Sequence, residues 1–127
     1  MTLRLLVLTG ALAPWVPIAA HHSFASVFDN GQPVEITGTV TSIEWMNPHV
    51  WFYLEVEGAE GGTQTWGFEM GSPNRLMRSG WNQDSMRPGQ TVTVTGSLAR
   101  DGSFKAAVET VKLASGEELF GAQDTSR

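Results

Sequence analysis

The stretch VEITGTVTSIEW, residues 34–45, alternates between apolar and polar side chains with one interruption. Ile36 and Val40 fall on even numbers, whereas Ile43 carries the apolar pattern onto odd numbers. Strict alternation of β-branched residues predicts a strand, and a slip of one residue predicts a bulge or sharp bend near Ser42. The first strand of the fold is therefore expected to change direction midway along its length.

Later segments repeat the strand pattern and enclose one helix. In GSPNRLMRSGW, Ser72 is a helix cap, Pro73 suits the first helical position and Gly80 is a C-terminal stop, so a short helix is predicted. The turn RDGS separates the last two long strands, and ASGEEL predicts a final hairpin. The remaining predicted strands are VWFYLEV at 50–56, TQTWGFEM at 63–70, a strand with Val92 and Val94 inward, and FKAAVETVKL at 104–113.

This order of elements predicts a mostly β fold, a five-stranded OB-like barrel with one short helix between strands 3 and 4. A β-sandwich is the alternative, but the position of the helix and the bent first strand favour the barrel. The predicted organisation is a signal peptide at 1–20, an N-terminal segment at 21–33, the barrel at 34–121 and a frayed C-terminus at 122–127.

The beginning of the chain has the layout of a secretory signal peptide. Arg4 is followed by LLVLTGALAPWVPIAA, an apolar run without charge that ends in small residues. A spanning helix needs about 20 uninterrupted apolar residues, whereas glycine and proline interrupt this shorter run, so cleavage is favoured over a membrane anchor. Cleavage after Ala20 would make His21 the first mature residue, and cleavage after Ala19 would leave Ala20 first. A periplasmic or secreted protein without a membrane span after cleavage is expected.

The composition of the chain argues against several classes of protein function. The 127 residues carry a formal net charge of −5 and contain no cysteine. An acidic chain is poorly suited to nucleic acid or to an anionic membrane surface, since both require basic patches. The absence of cysteine excludes disulfides, iron–sulfur centres and thiol catalysis. No serine triad, phosphate loop or paired-carboxylate motif is evident, so no catalytic residue is predicted.

Several motifs together resemble a family of small exported bacterial proteins known as domain of unknown function 6152. The similar segments are HHSF, GTVTSIEWMNPHVWFYLEV, WGFEMGSPNRLMRSGW and MRPGQTVTVTGSLARDGS, which together cover almost all of the mature chain. The resemblance implies export and one domain, but it supplies no activity, which must be argued from the residues.

Histidines at a mature N-terminus predict a copper site. The α-amine and imidazole of His21 can chelate one ion, and a further imidazole from His49 would complete a planar set of nitrogens that suits copper. His22 either assists or is a bystander. If Ala20 is first instead, a histidine at position three offers a different planar four-nitrogen copper site. The alternative is that the paired histidines are a polar chain start and that His49 only stabilises its turn.

A second candidate site lies on the non-core face of strand 50–56. Trp51 and Tyr53 on this face could stack on a small ligand, with Glu69 as a metal ligand or outer partner and Arg75 as an anion-binding cation. The alternative is that Phe24 and Phe28 cover these aromatic rings.

The leading prediction is an exported, non-enzymatic OB-type binding domain with an N-terminal copper site. A metal-free module that binds a small ligand or a periplasmic protein through the aromatic face is the alternative, and a copper-dependent redox enzyme is a third interpretation.

Overall fold

The computed structural model describes residues 23–124. Two short helices and six strands form in the order α1 (Phe24–Val27), β1 (Phe28–Glu44), β2 (Trp51–Glu57), β3 (Thr63–Glu69), α2 (Pro73–Arg78), β4 (Thr91–Ala99), β5 (Lys105–Lys112) and β6 (Glu118–Phe120). The helix between β3 and β4 stands where the sequence predicts it.

The strands close into a ring. Their order is β3-β2-β1-β4-β5-β6, and β3 also pairs with β5 in parallel, with Gly67 opposite Lys105 and Glu69 opposite Ala107. All other neighbours are antiparallel. The predicted OB-like barrel is confirmed, and β6 is added to it as the second strand of the predicted final hairpin.

The bend in the first strand is confirmed at the predicted position. The register of β1 against β2 shifts between Val40 and Ser42, so Thr41 is the extra residue of a bulge. On the other side, β1 pairs with β4 from Thr39 back to Pro33 without interruption. The bulge therefore lets one long strand serve two sides of the barrel.

The core fills the interior of the ring and consists of the alternate side chains that the strand patterns place inward. Phe52, Leu54, Phe68 and Met70 are fully buried, and the rings of Phe52 and Phe68 stack with centroids 5.1 Å apart. Leu76 of α2 is also fully buried, so the helix closes the barrel with its apolar side. No buried polar side-chain atom among residues 23–124 lacks a hydrogen-bond partner.

Helix α2 begins and ends as its sequence signals indicate. The backbone N–H of Arg75 donates to the Ser72 hydroxyl oxygen over 3.4 Å, and Pro73 occupies the first turn. Gly80 has a φ of +97°, the left-handed conformation that allows the chain to leave the helix. Trp81 then packs into the core and donates its indole N–H to the Phe120 carbonyl over 2.8 Å.

The structure departs from the predicted segment boundaries at both ends of the barrel. Strand β1 begins at Phe28, six residues before the predicted start at Val34, because Phe28 pairs with Ala99 and a bulge between Asp29 and Pro33 hides the alternation. The predicted fraying from residue 122 does not hold for residues 122–124. Gln123 donates to the Glu69 carbonyl, and Arg75 pairs with Asp124 across 3.2 Å.

Candidate metal centre on the outer face of the barrel

His49 and Glu69 meet on the face of the barrel opposite the core. Nδ1 of His49 forms a hydrogen bond with Oε1 of Glu69, although the two residues are twenty positions apart. His49 ends the turn before β2, and Glu69 is the last residue of β3. Because β2 and β3 are antiparallel neighbours with Trp51 opposite Glu69, the start of one strand lies beside the end of the other.

The two partners have different exposures. The Glu69 side chain is only 14% exposed, whereas that of His49 is 45% exposed. Burial raises the pKa of the Glu69 carboxyl, and the neighbouring His49 imidazole partly opposes that rise. The carboxyl group is thus a fixed, poorly hydrated acceptor, while the imidazole that it holds still reaches solvent.

A second apolar cluster lies next to this pair. Phe28, Ala99 and Ala107 are buried in it, and Phe24 and Trp51 pack against them. The rings of Phe24 and Phe28 are 5.4 Å apart between centroids. Helix α1 therefore contributes Phe24 to the same apolar cluster as Trp51, which is the cross-strand partner of Glu69.

Tyr53 continues the aromatic face along β2. Its hydroxyl donates to Oε2 of Glu44 across 3.5 Å, and burial, with the Glu44 charge, raises the pKa of the phenol. Gly67 is the partner of Tyr53 on β3. A Cβ atom at Gly67 would lie 3.3 Å from the Tyr53 ring and 3.6 Å from both the Trp51 ring and Lys105. Because Gly67 has no side chain, the rings of Tyr53 and Trp51 can lie close to the sheet at this position.

The structure brings together some of the predicted site residues and separates others. His49, Glu69, Trp51 and Tyr53 lie along one face of β2 and β3. Arg75 belongs to α2, where its guanidinium forms an ion pair with Asp124 and therefore already has an anionic partner within the chain. His21 and His22 lie outside the described residues.

One arrangement beside the site was absent from the sequence predictions. Nε of Arg100 donates to the Ala25 carbonyl across 2.8 Å, and Nη1 lies 3.3 Å from Oδ2 of Asp29. The sequence predicts only a turn around RDGS and carries no local signal that Arg100 contacts α1. Only the pairing of Phe28 with Ala99 brings this turn beside the helix.

The described part of the chain supplies a partial set of metal ligands. Among residues 23–124 there is no group of three or more histidine, aspartate and glutamate side chains placed to hold an ion. His49 offers one imidazole nitrogen, and Glu69 engages the other. A metal at His49 would therefore need further donors, from the residues before Ser23 or from a bound molecule.

Comparison with known proteins agrees with this fold. A solved structure of a mitochondrial single-stranded DNA binding protein from S. cerevisiae, Rim1, superimposes with a TM-score of 0.50 and 14% identity, covering 65% of this chain and 93% of that chain. RNA-binding protein 15 from Mus musculus and from Homo sapiens is 35% identical over 73 residues. That match covers 54% of this chain and 7% of the length of those proteins.

A family model for a family of unknown function (DUF6152) matches residues 10–108. The chain belongs to this family, as the motifs predict.

None of the helices within residues 23–124 is long and apolar enough to cross a bilayer.

Proposed function

We propose that this protein is an exported OB-type binding domain that holds one copper(II) ion between its mature N-terminus and His49. The observation that carries the proposal is the pairing of His49 Nδ1 with the largely covered Glu69 carboxylate, whose side chain is 14% exposed. Histidine ligands in metal sites typically donate one ring N–H to a carboxylate or carbonyl while the other nitrogen binds the ion. This pairing leaves Nε2 of a half-exposed imidazole as the metal-binding atom.

The donor chemistry favours copper over other divalent ions. His49 supplies one imidazole nitrogen, and a chain beginning at His21 supplies a second imidazole and a primary amine. Nitrogen donors in a planar arrangement suit copper(II), which also binds most tightly among the first-row divalent ions. Glu69 does not need to contact the ion, because its role is to fix the orientation and tautomer of the imidazole.

The placement of α1 allows the N-terminus to reach His49. Phe24 packs against the same apolar cluster as Trp51, which follows His49 by two residues. Only Ser23 and His22 separate Phe24 from His21, and each extended residue spans about 3.3 Å. The packing of Phe24 on this cluster supports an approach of the preceding residues to His49.

Direct titration tests the copper proposal. Protein with the mature N-terminus, freed of metal, is titrated with copper(II) in competition with a chromogenic chelator, and the bound copper is quantified after desalting. We expect one ion per chain, retained through desalting, with an absorption and electron paramagnetic resonance signature of a planar nitrogen environment. Copper that is lost completely on desalting would contradict the proposal.

Export and cleavage are part of the same proposal, since the amine exists only after cleavage. The uncharged apolar run after Arg4 supports them. We expect mass spectrometry of protein from the periplasmic fraction of a bacterial host to give a chain that begins at His21, with Ala20 as the secondary start. An intact Met1 chain in the membrane fraction would contradict export and would remove the amine from the ligand set.

The aromatic face supports a second candidate function. Trp51 and Tyr53 approach the surface of Gly67 together with the Lys105 side chain, and Tyr53 carries a polar tip. Such a face suits stacking with a small planar ligand in the manner of OB domains, without metal. The formal net charge of −5 weighs against nucleic acid as that ligand, because phosphate neutralisation needs basic side chains.

A further inference from the structure

Three side chains form one row across the outer face of the barrel. Trp51 on β2 lies directly opposite Glu44 on β1 and directly opposite Glu69 on β3. Residues that oppose each other in an antiparallel pair have Cβ atoms about 5 Å apart and share one face of the sheet. The indole of Trp51 therefore has a glutamate beside it on each of the two neighbouring strands.

The Trp51 side chain is held by the sheet and is still partly exposed. It packs against the buried cluster of Phe28, Ala99 and Ala107, and its ring would lie 3.6 Å from a Cβ atom at Gly67. Part of its surface reaches solvent. Tryptophan attracts cations to its ring face more strongly than the other aromatic residues do. An indole fixed in this way is a preformed surface for a cationic ligand.

Neither glutamate beside Trp51 has a lysine or arginine partner within the described part of the chain. Oε2 of Glu44 accepts the Tyr53 hydroxyl across 3.5 Å, and Oε1 of Glu69 is engaged by Nδ1 of His49. Each contact uses one oxygen of its carboxyl group and leaves the other oxygen outside that contact. Both glutamates can therefore accept a hydrogen bond from a charged donor, which is about twice as strong as a neutral hydrogen bond.

The surrounding charges also favour a cationic ligand. Two basic residues near the aromatic face have acidic partners of their own, because Lys105 interacts electrostatically with Asp101 and Arg100 pairs with Asp29 across 3.3 Å. The chain as a whole carries a formal net charge of −5. A net negative field raises the local concentration of cations near the surface.

We propose that this row binds an aliphatic diamine, with one ammonium group at Glu44, the other at Glu69, and the methylene chain across the indole of Trp51. The backbones that carry the two glutamates are two strand spacings apart, about 10 Å. A short dication therefore reaches both carboxylates, whereas a monoamine reaches one. The site goes beyond the copper function, since it consists of described residues and needs neither copper nor the N-terminal amine.

Calorimetric titration of the mature protein with putrescine tests this inference. Butylamine is the comparison ligand, because it has the same carbon chain and only one ammonium group. The protein is first freed of metal by dialysis against a chelator, since amines also bind copper. The variants are Glu44→Gln and Trp51→Leu, and the matched control is Glu55→Gln, which neutralises another exposed glutamate of the same sheet, on β2. Circular dichroism verifies the fold of each protein.

We expect one putrescine per chain, with butylamine bound about ten-fold more weakly or worse, because it lacks one hydrogen bond between charged groups. Glu44→Gln should weaken putrescine binding about five-fold, the upper range for an exposed ion pair, and should leave copper(II) affinity unchanged. Trp51→Leu should also weaken it about five-fold, through loss of the contact between cation and indole. Glu55→Gln should bind putrescine as the wild type does.

Several results would overturn the diamine site. Equal losses of putrescine affinity in Glu44→Gln and Glu55→Gln would show that the diamine responds only to net charge. Butylamine bound as tightly as putrescine would refute the two-ended mode. If Trp51→Leu does not fold, the comparison of Glu44→Gln with Glu55→Gln decides the inference. If the wild type binds no putrescine, this inference fails, and the copper titration still decides the proposed function separately.

Discussion

If His49 is a ligand as proposed, we expect His49→Ala to lower the copper(II) affinity of the mature protein by about 100-fold or more, since loss of a direct ligand should cost at least as much as the 10–100-fold typical of an outer-shell partner. The alanine removes the imidazole whose Nδ1 is held by Glu69. Because His49 is 45% exposed and lies outside the core, we expect the fold to persist. Competition titration with a chromogenic chelator measures the change, and far-ultraviolet circular dichroism verifies the fold.

Extending the N-terminus before His21 should lower copper(II) affinity as much as the loss of His49 does. The suitable variant adds three residues, Gly-Ser-Gly, before His21. A single added residue would place His22 third, and two would place His21 third, so either would create a separate four-nitrogen site. With three residues the amine is removed from the chelate without that replacement, and affinity should fall by a similar factor.

One control variant and two contrary outcomes make the result specific. Lys112→Ala removes an exposed side chain at the end of β5 and should leave copper binding unchanged. If His49→Ala binds as the wild type does while the extended protein does not, the ion sits on the N-terminus alone and the role of His49 is refuted. If neither change alters binding, the copper is elsewhere and the aromatic-face function becomes the better proposal.

Glu69→Gln should weaken copper binding while stabilising the metal-free fold at neutral pH. Affinity should fall by about 10–100-fold, the usual cost of altering a residue that orients a histidine ligand. Glutamine keeps an acceptor but not the charge that favours the N–H tautomer at Nδ1. The gain in stability follows because burial penalises the ionised Glu69 carboxylate, which glutamine replaces with a neutral group.

The sign of the pH dependence follows from the raised pKa of Glu69. The folded protein binds this proton more tightly than the unfolded chain, whose glutamates titrate near about 4.3. The wild type therefore gains stability from Glu69 at low pH and loses it as the pH rises through the folded-state pKa. We expect the two proteins to differ little in acid and the Gln variant to become the more stable as the pH approaches neutrality.

Urea unfolding of metal-free protein between about pH 3.5 and pH 7.5, a range that brackets the ordinary glutamate pKa, measures this difference. Glu55→Gln is the matched control, because it neutralises an exposed glutamate on β2. It should alter neither the pH dependence nor copper affinity. Wild-type copper affinity in Glu69→Gln would show that the carboxylate does not orient His49. A stability difference that shrinks as the pH rises would contradict the assigned cost of burial.

The sequence by itself determined the features that depend on near neighbours. The slip of alternation after Val40 gave the bulge, because side chains in a strand alternate strictly and one extra residue must reverse their faces. Helix α2 was predictable from three local signals. Ser72 caps its first turn, Pro73 fixes φ at its start, and Gly80 takes the left-handed conformation just after its end. These elements, in this order, were sufficient to predict the closed barrel.

Only the tertiary structure decided which side chains meet. The sequence offered Glu69 as a metal ligand or outer partner but assigned it no contact, and the β2–β3 register placed it against His49 and left its side chain only 14% exposed. Arg100 carried no local signal, since its contact with α1 requires β1 and β4 to pair across about half the chain. The contact between Asp124 and Arg75 likewise depends on the folded barrel, which brings the end of the described chain beside α2. Such contacts are set by strand register and by burial in the closed barrel, and neither is encoded in the residues next to them.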